Sequence, residues 1–338
     1  MIISKLNLLN FRNYSNLSVS FGNGMNILVG DNAQGKTNVL EAIVLLALTK
    51  SHRIGNYPNI IMFQKKKCKI AGVVKNDKII SKLEVEISED FKHLKINQTE
   101  IKKVSEYISH LNVIVFTPDD LEIIKGAPNI RRNLLNMQLS QLSRDYLRNY
   151  NEYNKLLKTR NEYLKILFNN NIADIAYLDV ITDKLIERSI LIYQERKKYL
   201  DYINIYIDKY FSDISGDKGI NIQYIPNVEF ENYEYETIRK KLKYIYKKNY
   251  MKELNYGMTI YGPHRDDFLF TYHGKDLKYY GSQGQQKIAV LSFKLSEIPI
   301  FKDNIQSIIT TTDLKSIQKK YVENAYVFHV KNGSLERK

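Results

Sequence analysis

Apolar and polar residues alternate along residues 2–9, and this period of two predicts a β-strand at the start of the chain. The same pattern predicts strands over residues 17–21 and 25–29. The stretch Gly22-Asn23-Gly24 between them favours a hairpin turn. After a glycine-containing loop, residues 38–48 are apolar over most of their length and predict a helix.

Residues 68–116 form a second β-rich region of the sequence. Strands are predicted at residues 69–74, 83–89, 93–97 and 111–116. Turn signals lie at Lys75-Asn76-Asp77 and at Ser88-Glu89-Asp90, because short polar residues of this kind favour chain reversal.

The pattern changes to a helical period after Pro118. From Arg131 to beyond Tyr153, apolar residues recur every three or four positions and predict one long amphipathic helix, which the sequence Phe168-Asn169-Asn170-Asn171 ends. A second long helix follows. The positions expected on its buried face are Leu178, Ile181, Leu185, Ile192, Tyr199 and Ile203. Two long helices joined by a short polar turn predict an antiparallel helical hairpin.

The last part of the chain mixes both periods. Residues 212–256 are mixed, residues 276–296 predict a turn and then a helix, and residues 305–310 predict a strand. Residues 315–321 predict a helix, and residues 325–330 with Asn332-Gly333 predict a terminal hairpin. We therefore expect an α/β fold with a β-rich subdomain and an inserted antiparallel helical hairpin. The predicted domains are residues 1–125 with 257–338, and residues 126–256.

Composition narrows the class of protein. The chain has 338 residues, a formal charge of +14 and a pI near 9.4, which favours a polyanionic partner such as nucleic acid. The abundance of Lys, Asn, Ile and Tyr is also typical of an AT-biased genome, so both explanations stay open. One cysteine excludes an internal disulfide framework. No signal peptide or membrane span is predicted, so we expect a cytoplasmic protein.

A phosphate-binding loop is the clearest chemical motif. Gly30, Gly35, Lys36 and Thr37 fill every fixed position of the Walker A pattern, between an apolar strand and a helix. The glycines let backbone N–H groups converge on phosphate oxygens, Lys36 reaches the β- and γ-phosphates, and Thr37 offers its hydroxyl to Mg²⁺. The predicted nucleotide-binding residues are Gly30, Asp31, Asn32, Ala33, Gln34, Gly35, Lys36 and Thr37.

Five further segments occur in a recognisable order. They are Phe11-Arg12-Asn13-Tyr14, Phe116-Thr117-Pro118-Asp119-Asp120-Leu121, Lys125-Gly126-Ala127-Pro128 with Arg131-Arg132, Tyr261-Gly262-Pro263-His264-Arg265-Asp266-Asp267, and Gly281-Ser282-Gln283-Gly284-Gln285-Gln286. Together with GDNAQGKTNVLEAI at residues 30–43, they resemble the RecF family of bacterial recombination-repair ATPases, which is related to the SMC group. The resemblance extends over nearly the whole chain.

The resemblance implies a fold and a function. The fold would be an ABC/SMC-type P-loop ATPase head, and the cofactors would be ATP and Mg²⁺. The protein would form an ATP-dependent homodimer, bind gapped, single-stranded or duplex DNA without sequence preference, and load recombinase with RecO and RecR. Ser282, Gln283, Gly284, Gln285 and Gln286 would be the signature segment, which meets the nucleotide of the other subunit. Replication, DNA damage and the SOS response are the implied processes.

Other candidate residues keep two interpretations. Arg12 and Tyr14 are predicted to contact phosphate and base, or else to form a plain turn. Asp119 and Asp120 follow an apolar run but are interpreted as a turn. His264 is interpreted as part of a structural turn rather than as a catalytic residue. Seven basic residues are candidates for a DNA-binding helix surface: Arg131, Arg132, Arg144, Arg148, Lys155, Lys158 and Arg160.

One expected segment is missing. The family pattern has an apolar strand that ends in paired acids after the signature helix. Here the stretch from Leu295 to Asn304 passes directly into Ile305 and the strand that should come later. About 25–35 residues, one strand–helix unit, have no counterpart. Asp303 and Asp313 do not fit the Walker B pattern. Either a real internal deletion or an incompletely read gene explains this. We therefore expect poor hydrolysis of ATP and no assignable catalytic residue.

Two alternative functions stay open at this stage. An ABC transporter ATPase subunit shares the Walker A and signature motifs, but it gives no reason for the long helical hairpin or the basic charge. A nucleotide-regulated DNA-binding protein without turnover differs from the leading interpretation only in hydrolysis.

Overall fold

The computed structural model describes residues 1–51, 57–76, 79–169, 175–301 and 305–337. The strands in these ranges are β1 (Ile2–Phe11), β2 (Tyr14–Ser20), β3 (Met25–Val29), β4 (Lys67–Asn76), β5 (Ile79–Ser88), β6 (Lys92–Ile96), β7 (Thr99–Ile101), β8 (Ile220–Ile225), β9 (Asp267–Tyr272), β10 (Lys275–Asp276), β11 (Ser307–Thr311), β12 (Tyr326–Lys331) and β13 (Ser334–Arg337).

The same ranges contain the helices of the chain that the structure describes. They are α1 (Lys36–Leu48), α2 (Val104–Tyr107), α3 (Glu122–Lys125), α4 (Pro128–Leu142), α5 (Arg144–Asn169), α6 (Ile175–Ser215), α7 (Tyr235–Lys248), α8 (Tyr250–Tyr256), α9 (Leu277–Tyr280), α10 (Gln283–Phe301) and α11 (Lys319–Val322). Short 3-10 turns lie at Tyr57–Ile60, Pro118–Leu121, Pro263–Arg265 and Leu314–Ser316. No helix of the described ranges is both long and apolar enough to cross a membrane.

The chain divides into two compact units, which are Met1–Val115 with Phe301–Lys338, and Phe116–Ile300. This division differs from the predicted domains, because residues 116–125 and 257–300 group with the helices. The reason is packing: Phe268 of β9 and Phe293 of α10 are buried in the core that surrounds α6. A sequence boundary drawn at the return of strand-like residues cannot detect that contact.

The first unit contains two sheets. The larger is antiparallel, with strand order β2-β1-β4-β5-β6-β7. The smaller has the order β11-β3-β12-β13, and β3 pairs in parallel with β11 on one side and with β12 on the other. The predicted hairpin between β2 and β3 is therefore wrong: Gly22 and Gly24 connect two sheets, and β2 pairs with β1 instead.

Most local predictions in the first unit are confirmed. The helix after the glycine loop is α1, the turn at Ser88 is held by its Oγ, and the terminal hairpin forms with positive φ at Asn332 and Gly333. The strand predicted at residues 111–116 is wrong, because this run has no strand partner in the described structure. The helix predicted at residues 315–321 is reduced to a 3-10 turn and the short α11. The end of the turn signal at Asp77 lies outside the described residues.

The helical hairpin of the second unit is confirmed with one correction. The predicted first helix is two helices, α4 and α5, and Ser143 between them has an extended backbone. Its Oγ accepts a hydrogen bond from the Tyr146 N–H at 3.1 Å, so Ser143 is an N-cap that starts a new helix. Helix α6 runs for 41 residues antiparallel to α5, and its predicted core face is buried. Part of the predicted helix-ending sequence, Asn170 and Asn171, lies outside the described residues.

Candidate nucleotide-binding site

The Walker A residues form a loop between the end of β3 and the start of α1. Gly35 has φ of 108°, a conformation that favours glycine, and it directly precedes the first residue of the helix. Gly30 passes against the Val330 carbonyl of β12, and a Cβ on Gly30 would lie 2.3 Å from that oxygen. Both glycines are therefore required by the backbone path, as the motif predicts.

Lys36 directs its ammonium group into the loop. Its Nζ donates hydrogen bonds to the carbonyl oxygens of Gly30 and Asp31, both at 2.6 Å, and the residue is 8% exposed. A positive charge is thereby held where the N-terminus of α1 begins. The combination of a lysine ammonium and a helix N-terminus is suited to a bound phosphate.

The turn between β1 and β2 contacts this loop and holds its backbone. Tyr14 donates a hydrogen bond to the Gly35 carbonyl at 3.1 Å, and Asn13 donates to the Gln34 carbonyl at 3.2 Å. Asn13 also accepts from Asn38 in the first turn of α1. Tyr14 is fully buried, and burial raises the pKa of its phenol. The prediction that Tyr14 packs near a base is therefore wrong, because its ring has no exposed surface.

Arg12 has φ of 54° at the same turn and is fixed by an ion pair. Its Nε and Nη2 donate to the two oxygens of Glu41, at 3.1 and 2.7 Å, and Nη1 donates to the Asn59 carbonyl. Glu41 is fully buried in α1 and also accepts from Ser51. The turn interpretation of residues 11–14 is confirmed, and the contact of Arg12 with phosphate stays a prediction.

The C-terminal hairpin contacts the loop from the side of β12. The backbone N–H of Asn332 donates to Oε1 of Gln34 at 2.7 Å. A Cβ on Gly333 would lie 2.8 Å from the Asn13 carbonyl, so the two supporting turns also contact each other. Residues far apart in sequence thus hold the loop, and sequence reasoning did not identify them as part of the site.

A cavity of about 400 Å³ lies against the loop. It is lined by Asn32, Ala33, Gly35, Lys36, Thr37, Asn38, Thr310, Thr311 and Thr312. Thr310 and Thr311 end β11 and Thr312 follows it. Their position follows from the sheet, since the carboxyl ends of parallel strands meet at one edge. Sequence reasoning missed these threonines as site residues. Their polar run at the end of a predicted strand was the available signal.

No carboxylate is among the residues that line this cavity. Thr37 is exposed and offers one hydroxyl to a cation, but the acid that usually completes a Mg²⁺ site is not supplied by the described lining. Glu41, the nearest acid along α1, is already bound to Arg12 and Ser51. The cavity therefore fits a phosphate group better than it fits a metal ion.

Strand β11 has a single strand partner in the described part of the sheet, which is β3. All five of its residues are half-buried. Helix α10 ends at Phe301 and β11 begins at Ser307, with no strand between them in the described residues. This arrangement agrees with the expected loss of a strand–helix unit. The predicted junction at residues 302–304, including Asp303, lies outside the described residues.

The signature segment lies in the second unit, at the start of α10. Ser282 Oγ accepts from the Gln285 N–H at 3.2 Å, and Gln285 Oε1 accepts from the Ser282 N–H at 2.8 Å, which is a capping box. The predicted cap is confirmed. The amide of Gln286 donates to the carbonyl of Leu277 and ties α9 to α10. Around Gly284 there is open space: a Cβ there would meet only Ser282 Oγ, at 3.9 Å.

Asp120 and His264, from two of the sequence motifs, have structural roles. Asp120 accepts from the Thr117 N–H and caps the 3-10 turn, which confirms that Asp119 and Asp120 are a turn. His264 contacts the Tyr153 hydroxyl through Nδ1 at 2.6 Å and the Thr259 carbonyl through Nε2 at 3.1 Å. Burial lowers its pKa to about 4, so the imidazole is neutral, and its interpretation as a structural residue is confirmed.

Several predicted DNA-binding residues are buried. Arg131 is 4% exposed and donates to both oxygens of Asp267, so its assignment to a DNA surface is wrong. Arg160, also predicted there, is 2% exposed and pairs with Glu253 at 2.7 Å. Their acidic partners lie far along the chain, so the helical pattern of basic residues could not show that these two side chains are buried.

The remaining arginine candidates are at least partly exposed. Arg132 is half-buried and donates to the Asp266 carbonyl, and burial lowers the pKa of its guanidinium. Arg144 and Arg148 are exposed, and Arg148 pairs with Asp145 at 2.7 Å. A contact of these three with DNA stays a prediction.

Comparison with known proteins defines the family. The family profile described as RecF/RecN/SMC N terminal domain matches residues 2–307. A relative from Pediococcus pentosaceus, named DNA replication and repair protein RecF, is 35% identical over 368 aligned positions, which cover 99% of this chain and 98% of the relative. The chain belongs to the RecF family. The ABC/SMC-type head expected from the sequence is thereby confirmed.

Solved structures agree with the RecF assignment. The structure titled as the recombination mediator protein RecF-ATP in the RecFOR pathway is 28% identical and superimposes with a TM-score of 0.90, covering 99% of this chain and 97% of its own. An Smc head domain from Pyrococcus furiosus is 15% identical with a TM-score of 0.54 and covers 99% of this chain, which shows a shared fold only.

The length of the alignment with the RecF relative indicates that this chain lacks a segment. It extends over 368 positions, whereas this chain has 338 residues, so at least 30 positions have no counterpart here. That number agrees with the strand–helix unit that the sequence was expected to lack.

Proposed function

We propose that this RecF-family chain binds ATP at residues 30–37. Lys36 would hold the β- and γ-phosphates, and the Thr37 hydroxyl would reach the Mg²⁺ that accompanies them. One observation carries the proposal: the Lys36 ammonium is fixed inside a glycine loop that borders a cavity of about 400 Å³, within the range of small-molecule sites.

The proposed biological role is DNA replication and repair in the cytoplasm. The protein would bind single-stranded and duplex DNA near gaps, respond to DNA damage, and act with RecO and RecR to load recombinase. Support comes from the names of the relative and of the solved structure, which place those proteins in replication and repair and in the RecFOR pathway. The charge of +14 agrees with a polyanionic partner.

Dimerisation would bring the signature segment of one subunit to the nucleotide of the other. Gly284 supports this, because in the described structure of one chain nothing packs against it closely enough to require a glycine. A glycine at an open helix start is otherwise unfavourable for the helix. A backbone that must be approached closely by another molecule gives it a reason.

Hydrolysis would be weak or absent in this chain. The cavity lining contains no carboxylate to hold Mg²⁺ or to orient water. A nucleotide-regulated DNA-binding protein without turnover therefore remains the second candidate. The transporter alternative is wrong, since the chain belongs to the RecF family.

Light scattering on the purified chain with ATP and duplex DNA tests the proposal. We expect ATP to produce a dimer that holds DNA, and Lys36→Ala to remain monomeric because the loop loses its phosphate-binding charge. A wild-type chain that stays monomeric or aggregates in ATP would show that the ATPase unit cannot assemble.

A hydrolysis assay then separates the two candidates. We expect phosphate release to stay at background for wild type and for Lys36→Ala alike. Turnover that matches an intact family member and disappears in Lys36→Ala would contradict the proposed loss of hydrolysis.

A further inference from the structure

Helix α7 has one apolar and one basic face. Ile238, Leu242 and Tyr246 recur at four-residue intervals and are buried in the core of the second unit. Because an α-helix turns about 100° per residue, the opposite face carries Lys240, Tyr244 and Lys247, with Lys241 and Lys248 beside them. All five side chains are exposed. We call these five residues the α7 basic face.

The charges of this face are not neutralised by neighbouring acids. Arg239 pairs with Glu236, and Lys243 pairs with Asp183 at 3.0 Å. In contrast, none of the four lysines of the α7 basic face lies within 4.0 Å of a carboxylate of the described residues. This separates α7 from α5, where Arg148 pairs with Asp145.

An exposed tyrosine lies among these lysines. Tyr244 is 59% exposed, and the Lys248 ammonium lies 5.7 Å from its ring centre. Two lysine pairs, 240/241 and 247/248, therefore flank one aromatic side chain, and they are about 11 Å apart along the helix axis. A solvated helix face needs no such ring, whereas a surface that packs on sugars and phosphates uses both groups.

We propose that the α7 basic face binds the sugar–phosphate backbone of DNA. The inference deepens the proposed function and rests on it. The lysines supply charge to adjacent phosphates, and Tyr244 supplies a hydroxyl donor and an apolar ring between them. Such contacts position DNA without reading its sequence.

Fluorescence anisotropy with a short labelled duplex, measured between about 50 and 200 mM salt, tests the inference. We expect Lys240→Gln with Lys247→Gln to weaken binding about tenfold at the lower salt and to reduce the slope of log affinity against log salt by about 1.8, since each duplex phosphate contact contributes about 0.9. Lys103→Gln with Lys319→Gln removes the same charge from exposed sites elsewhere and should change neither quantity.

The possible results distinguish a failure of this inference from a failure of the proposed DNA-binding function. If wild type binds DNA and the α7 variant keeps the affinity and salt slope of the control, the inference is wrong while the proposed function stands. If wild type shows no salt-dependent binding, the proposed DNA-binding function has failed and the inference with it. Loss of binding to phosphatidylglycerol vesicles with unchanged DNA binding would assign the face to a membrane and overturn the inference. Matching thermal unfolding of both double variants excludes a folding defect.

Discussion

The nucleotide loop and the signature segment are both glycine-containing helix starts, but the chain supports them differently. Around Gly35, Tyr14 and Asn13 contact the loop, and a Cβ would lie 2.6 Å from the Asn13 amide. Around Gly284, a Cβ would meet only Ser282 Oγ among the described residues, at 3.9 Å. The first glycine is required by the fold of one chain. The second is not, so any requirement for it must come from another molecule.

The largest expected effect is that of Gly35→Ala. Alanine is strained at φ of 108° and would displace Asn13 and Tyr14, so we expect a loss of roughly 2–3 kcal/mol in the free energy of unfolding of the first unit. The displaced backbone also no longer fits a phosphate, so we expect ATP affinity to fall about a hundredfold, which is about 2.7 kcal/mol of binding free energy. Chemical denaturation and nucleotide-binding titrations measure both. Wild-type affinity in Gly35→Ala would show that the loop is adaptable rather than preorganised.

The second effect concerns Glu297, which is fully buried in the signature helix α10 and accepts from the Tyr199 hydroxyl at 2.7 Å. Burial raises its pKa to about 7. A raised pKa stabilises the fold below the unfolded value of about 4.5, and this contribution is lost as pH rises through 7.

Glu297→Gln removes that ionisation. We expect the variant to exceed wild type by about 3 kcal/mol in unfolding free energy at pH 8 and to equal it near pH 4. Denaturation curves at several pH values check this. The same difference at every pH would mean that Glu297 is not titrating.

Ser282→Ala is expected to have a smaller effect. It removes the acceptor for the Gln285 N–H, and the loss of an N-cap costs about 1 kcal/mol of stability. Ser282→Asn, which also caps helices, is the matched control and should retain most of that energy. Thermal unfolding of the two variants distinguishes the cap from a general effect of substitution.

Gly284→Ala is expected to have the smallest effect on stability. Alanine favours a helix more than glycine does, so we expect unfolding free energy to rise by up to about 1 kcal/mol. ATP-dependent dimerisation should nevertheless be lost, because a Cβ would occupy the space that the partner needs. Normal dimerisation in Gly284→Ala would leave the glycine without a function.

Patterns within a few residues predicted elements well, and contacts between distant residues limited the rest. The strand–loop–helix of residues 25–48 and the helical hairpin follow from local period. The pairing of β2 with β1 rather than β3 does not, since alternation gives no partner. Likewise, Arg131 resembles an exposed basic residue until Asp267, 136 positions away, is brought beside it.

The candidate site likewise combines residues predicted from local patterns with residues that only long-range contacts bring together. Residues 30–37 were identified from the motif alone, and the capping role of Ser282 from residue type. The three threonines at the end of β11 and the supporting Asn332 were not identified, because only the sheet brings them to the loop. The buried state of Tyr14 was also beyond local reasoning, since aromatic residues in turns are often exposed.

Strand β11 stands at the edge of its sheet among the described strands, which affects how the protein behaves in a cell. A strand at the edge of a sheet can pair with another chain, and β11 has one strand partner among the described residues. Its sequence from Ile305 to Thr312 carries no charge that would discourage such pairing. We expect newly made chains to partition between assembly, aggregation and degradation, with chaperones and proteases deciding the balance. The amount of intact protein, rather than its chemistry, would then set how much repair it supports.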